Sequence, residues 1–100
     1  MPRPGETIFK DPNAQLFYGM DWTTWLGATV AIAFSEWRAL GPDDTLTFDN
    51  SSVVVGGKQT QVRVGGGTVD KVYTITNRVT TDEPTPQIDE RSFRVYVRNR

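Results

Sequence analysis

Gly65, Gly66 and Gly67, followed by Thr68 and Lys71, are the residues with which this sequence comes nearest to a phosphate-binding loop. That chemistry needs backbone N–H groups converging on the anion at a helix start, an adjoining lysine, and a hydroxyl for magnesium. Here Lys71 opens an alternating, strand-like run, and no Lys-Ser or Lys-Thr pair follows the glycines. They read instead as a corner that needs positive φ or a close backbone approach. Asp43, Asp44 and Asp49 raise calcium, but the Asp-x-Asp-x-Asp-Gly spacing is absent and turn solvation accounts for them. Asp21, Asp49 and Glu90 are the carboxylates an enzyme could draw on, and no spacing makes any two of them neighbours.

The 100 residues contain neither histidine nor cysteine. The commonest general base, the commonest metal ligand, thiolate metal sites, disulfides and every Ser-His or Cys-His nucleophile pair are thereby removed. The expectation is a protein that is not an enzyme, with no catalytic, metal or cofactor-binding residues. Net charge is -1, but residues 1–70 carry five basic and eight acidic groups whereas 71–100 carry six and four. Arg78, Arg91, Arg94, Arg98 and Arg100 could form a basic stripe, since residues two apart in a strand share a face. With Tyr96 as the only interleaved aromatic, a protein contact is favoured over nucleic acid. Trp22, Trp25, Arg94, Tyr96 and Arg98 are the candidate interface residues, aromatic and arginine side chains being the usual anchors.

These residues must be carried by elements, and the chain is long enough for one domain. Residues 1–15 hold three prolines and few apolar side chains, the composition of an extended N-terminal arm. The domain proper is then 16–100. Leu16 to Trp22 is a β-prone run, and Asp21 is placed to cap a single helical turn closed by Gly27. Val30, Ile32 and Phe34 alternate with small residues as the inward face of a strand. Leu46 and Phe48, then Val62 and Val64, repeat the two-residue period. The strongest pattern sets Tyr73, Ile75, Asn77 and Val79 on one face, and Phe93, Val95 and Val97 on another strand that pairs with it through a long loop. Asn77, polar and inward, must find hydrogen-bond partners.

Six or seven short strands with turn chemistry between them and almost no helical period predict an all-β, immunoglobulin-like (Ig-like) sandwich of about seven strands. In such sandwiches a tyrosine near the start of the penultimate strand ties its hydroxyl back to the preceding corner. Tyr73, two residues before Ile75 and just after the glycines, fits that place, so Gly65, Gly66, Gly67, Tyr73 and Asn77 form the predicted structural corner. No apolar run approaches the roughly 20 residues of a membrane span, and the first 15 residues lack a signal peptide's apolar core. A soluble, unexported protein is expected, with no membrane partner.

Several stretches carry a resemblance: "KDPNAQLFYGMDWTTWLG" at 10–27, "SEW" at 35–37, "GGGTVDKVYTITNRVTT" at 65–81 and "DERSF" at 89–93. In these the chain resembles small proteins of tailed bacteriophages, the fibre–tail adaptor or minor virion structural proteins. It departs from them at Asp70 and Lys71, where small residues are commoner, and in the two-proline loop "TDEPTPQIDE". The resemblance implies an Ig-like β-domain with a structural role in the virion, assembled in the host cytoplasm, and carries no active site to transfer. It also implies other virion proteins as partners, of tail, neck, fibre or capsid. A homo-oligomer, as a ring or trimer, is expected of small domains used in this way. The alternative is a capsid cement or decoration protein, and a nucleic-acid-binding module is less favoured.

Overall fold

Alternation over Lys71–Thr81 builds the longest strand, and the others assemble around it. The computed structural model describes residues 3–54 and 56–99. Its elements in chain order are β1 (Thr7–Lys10), β2 (Leu16–Asp21), a single turn α1 (Thr23–Leu26), β3 (Ile32–Leu40), β4 (Leu46–Val54), β5 (Gln59–Gly66), β6 (Lys71–Thr81) and β7 (Ile88–Val97). One sheet has the order β1-β7-β6-β3 and the other β2-β5-β4. The fold is therefore an all-β arrangement of seven strands in two sheets. Strands β2-β5-β4 against β3-β6-β7 are compatible with the B-E-D and C-F-G sheets of an Ig-type sandwich. The departure is β1, which pairs in parallel with β7 and not with β2.

The core is drawn from both sheets. Met20, Leu46, Val62 and Val64 of one meet Ile32, Tyr73, Ile75, Val79, Phe93, Val95 and Val97 of the other. Strands β6 and β7 pair antiparallel from Lys71↔Val97 to Thr80↔Ile88, so each inward residue opposes an inward residue. At the centre, Asn77 is fully buried and completely used. Its Oδ1 accepts from Trp22 Nε1 at 2.9 Å and Thr60 Oγ1 at 2.6 Å, and its Nδ2 donates to Ser35 Oγ and the Glu36 carbonyl, both at 2.9 Å. A buried amide with all four valences met ties β6 to β3, β5 and the start of α1.

Three expectations change. Phe34 does not face inward. Ile32 pairs with Thr81 and Phe34 with Thr80, so one extra residue is inserted at Ala33 and the parity of β3 reverses. Ile32 is buried, Phe34 is 49% exposed, and the inward places pass to Ser35 and Trp37. Within the segment read as an arm, the described residues are not free of the sheet. Thr7–Lys10 pairs with Arg94–Val97, and the Lys10 side chain is buried. Finally, the predicted basic stripe is not one row. Arg91 shares its face with Phe93, Val95 and Val97, Arg94 and Arg98 lie on the opposite one, and Arg100 lies outside the described residues.

The glycines end β5 and lead across to β6 in the other sheet. Gly66 has φ 72° and a Cβ there would lie 2.2 Å from the Thr45 carbonyl oxygen; Gly67 has φ 94° and its Cβ would lie 2.6 Å from Val97 Cγ2. Side chains are excluded at both, on conformational and steric grounds.

Candidate interaction surface

The corner is best described from Tyr73, whose ring is buried while its hydroxyl reaches the turns on either side. Thr68 N–H donates to it at 2.8 Å, and it donates to Asp43 Oδ1 at 2.7 Å. Asp43 also accepts from the hydroxyls of Thr45 and Thr68, both at 2.7 Å. With the Thr45 hydroxyl as the largest cause, then those of Thr68 and Tyr73, its carboxyl is held well below the usual carboxylate range. Asp43 thus ties the β3–β4 turn to the β5–β6 corner. Among the described residues, no group of three or more Asp, Glu, His or Cys side chains is placed to hold a metal.

The glycine corner presents a carbonyl rather than N–H groups to its charged neighbour. Lys10 Nζ, arriving on β1, donates to the Gly66 carbonyl at 2.7 Å and to the Asp11 carbonyl at 2.8 Å. Burial pushes the amine below its ordinary range, opposed by the nearby Asp11 charge. The position that a phosphate loop would offer to an anion is occupied by the chain's own cation.

Of the five candidate interface residues, Trp22 is removed from the surface. It is fully buried, its Nε1 is bonded to Asn77, and Arg91 Cζ stands 4.2 Å over its ring centroid. The indole completes the core because Asn77 supplies the polar partner that a buried Trp needs. Trp25 is half-buried, edge-on to Trp22 with centroids 5.4 Å apart, and lines a shallow pocket with Leu26, Val30 and Thr81.

Arg94, Tyr96 and Arg98 lie on the same outward side, where Tyr96 and Arg98 meet and β1 adds a residue to them. Phe9 stands opposite Tyr96, with ring centroids 5.8 Å apart. Arg98 Cζ lies 5.3 Å from the Phe9 centroid and 5.8 Å from that of Tyr96. Val72 flanks Tyr96 on β6. Arg94 is held one row away by donating from Nε to Thr7 Oγ1 and from Nη2 to the Gly5 carbonyl, both at 3.0 Å. Phe9 is 47% exposed and Val72 43% exposed. Two aromatic rings, a valine and a guanidinium therefore form one open patch across three strands, the composition of a binding hot spot. Phe9 was not legible as part of it, because the prolines and polar residues around it signal a tail. The alternation Ile8, Phe9, Lys10 was the available clue, with Ile8 and Lys10 turning in and Phe9 out.

Farther along the same face basic and acidic residues stand next to one another in register. Arg78 is flanked by Glu90 and Glu36 in register, and Arg38 pairs with Glu90 at 2.5 Å. On the other sheet Arg63 holds Asp49 through two bonds of 2.7 Å, which lowers the carboxyl's pKa. No helix among the described residues is long and apolar enough to cross a membrane.

A family model described as "Podophage GP4 fiber-tail adaptor protein gp77" matches residues 10–96. No curated protein matches the chain. Among solved structures, one titled "Solution Structure of Amebosin" is similar at a TM-score of 0.39 and 12% sequence identity, over 95% of this chain and 90% of that one.

Proposed function

The chain belongs to the podophage fibre–tail adaptor family, and from that premise we propose that it is a non-enzymatic virion component linking tail to fibres by protein–protein contact, with the Phe9–Tyr96–Arg98 patch as one docking surface. The observation that carries this reading is the composition of the patch: an exposed Phe9 and a half-buried Tyr96 packed with Arg98, on paired strands, beside an Arg94 tethered to Thr7. Side chains fixed in this way lose little entropy when a partner covers them. The chain works in several copies, as a part repeated around a symmetric tail must.

The test is to assemble particles carrying Phe9→Ala together with Arg98→Glu. Loss of two hot-spot side chains weakens partner binding by about 30-fold or more. Purified tails should then lack fibres while the variant chain still folds, read by gel densitometry and electron microscopy. Wild-type particles should hold about 6–18 copies, following tail symmetry. Absence of the chain from purified particles, or hundreds of copies spread over the head, would overturn the reading.

A further inference from the structure

A sandwich of two open sheets has four edge strands, and edges are where chains join unless something prevents it. Three are blunted. β1 is only four residues long, β2 is six with Gly19 inside it, and the pairing of β4 is interrupted between Asp49 and Ser52, where Asn50 takes φ 51°. β3 is different. From Phe34 to Leu40 it runs in unbroken register with β6 on one side, and it ends the sheet order on the other.

The residues on that edge have a particular symmetry. The order is Phe34, Ser35, Glu36, Trp37, Arg38, Ala39, Leu40. About Trp37 it is apolar, small, acidic on one side and basic, small, apolar on the other. The outward members Phe34, Glu36, Arg38 and Leu40 are all exposed, Leu40 at 76%, although two of them are large and apolar. Among the described residues, no element closes over either of them.

We propose that β3 is a self-pairing edge: two copies of this chain join antiparallel about Trp37 into one continuous sheet. With Trp37 opposite its own copy, Glu36 stands across from the partner's Arg38 and Arg38 from the partner's Glu36. Phe34 likewise stands across from the partner's Leu40, and Ser35 from the partner's Ala39. Residues directly opposite in an antiparallel pair have Cβ atoms about 5 Å apart, so every outward pair is either opposite in charge or apolar on both sides. A shift by one residue would turn each outward side chain against an inward one, and a shift by two would break the charge pairing. The contact is twofold and isologous, which closes it at two copies. It uses a different part of the molecule from the Phe9 patch and stands whichever partner that patch engages.

Charge exchange tests it. Glu36→Arg places like charges across both outer positions, and so does Arg38→Glu; mixing the two variants restores opposite charges at both. In sedimentation equilibrium of the full chain, the wild type should form a concentration-dependent dimer. Each variant alone should dimerise about tenfold or more weakly. The equimolar mixture should recover a heterodimer near wild-type affinity, with circular dichroism showing that both variants are folded. A wild type that is monomeric up to about 1 mM on the scale of specific association would overturn the proposal. So would single variants that dimerise as tightly as wild type, or folded variants that fail to associate when mixed.

Discussion

Asp43 and Tyr73 show how much one corner depends on single atoms. The Tyr73 hydroxyl gives its proton to Asp43 and receives one from the Thr68 amide, so Tyr73→Phe removes two bonds and leaves the Thr68 donor short of a partner. Chemical denaturation should report a loss of about 1 kcal/mol or more. Asp43 adds a pH dependence whose sign follows from its lowered pKa. A carboxyl more acidic when folded than unfolded contributes stability that is complete above its unfolded value, about 3.9, and is lost as pH falls toward the folded value. The acid limb of the stability curve, measured below about pH 4, should therefore be shallower in Asp43→Asn than in wild type. Trp22 illustrates what residue type alone leaves open. A tryptophan is equally suited to an interface or a core, and the deciding partner, Asn77, is 55 positions away in sequence.

Strands with both neighbours inside a sheet are legible in the sequence, and so are the edges β2 and β4; the two edges of the other sheet, β1 and β3, are not fully so. β6 and β7 sit between other strands, and Tyr73, Ile75, Asn77 and Val79 of the one and Phe93, Val95 and Val97 of the other are all buried at every second position. In β3 the period is equally regular on paper, but the extra residue at Ala33 reverses which half points inward. No composition signal marks that bulge. β1 was harder still, because its inward Lys10 reads as solvent-facing until the Gly66 carbonyl is brought to it across 56 positions. The glycines read as a corner in the sequence, and the space around Gly66 is closed. Gly66→Ala places a Cβ against the Thr45 carbonyl at a left-handed φ, so it should force β4 and β5 apart at their paired ends. A cost above about 2 kcal/mol is expected in thermal or chemical unfolding. Gly56, with positive φ but open space around it, should tolerate alanine better.

At the scale of the whole molecule, the described residues form an elongated body of 44 × 21 × 21 Å. The aromatic patch centres on Phe9 of β1 and Tyr96 of β7 and extends to Val72 of β6, while the β3 edge is the far margin of the same sheet. A partner over Phe9 and Tyr96 and a second copy along the β3 edge therefore use different strands. The first and last strands, β1 and β7, are parallel neighbours. Bonds from Gly5 N–H to the Ser92 carbonyl, Arg94 N–H to Glu6 and Arg98 N–H to Lys10 stitch them together. A pull that draws the two termini apart therefore acts along these strands in opposite directions. It strains all the bonds between them at once, in shear, where a hairpin pulled from its open end yields one rung at a time. Tethered by its termini in an optical trap, the chain should rupture at a higher force than when tethered through residues 71 and 97, the open end of the β6–β7 pair; equal forces would refute the clamp. Load applied through the two ends of the chain would be borne by the β1–β7 pair before it reached the rest of the sandwich.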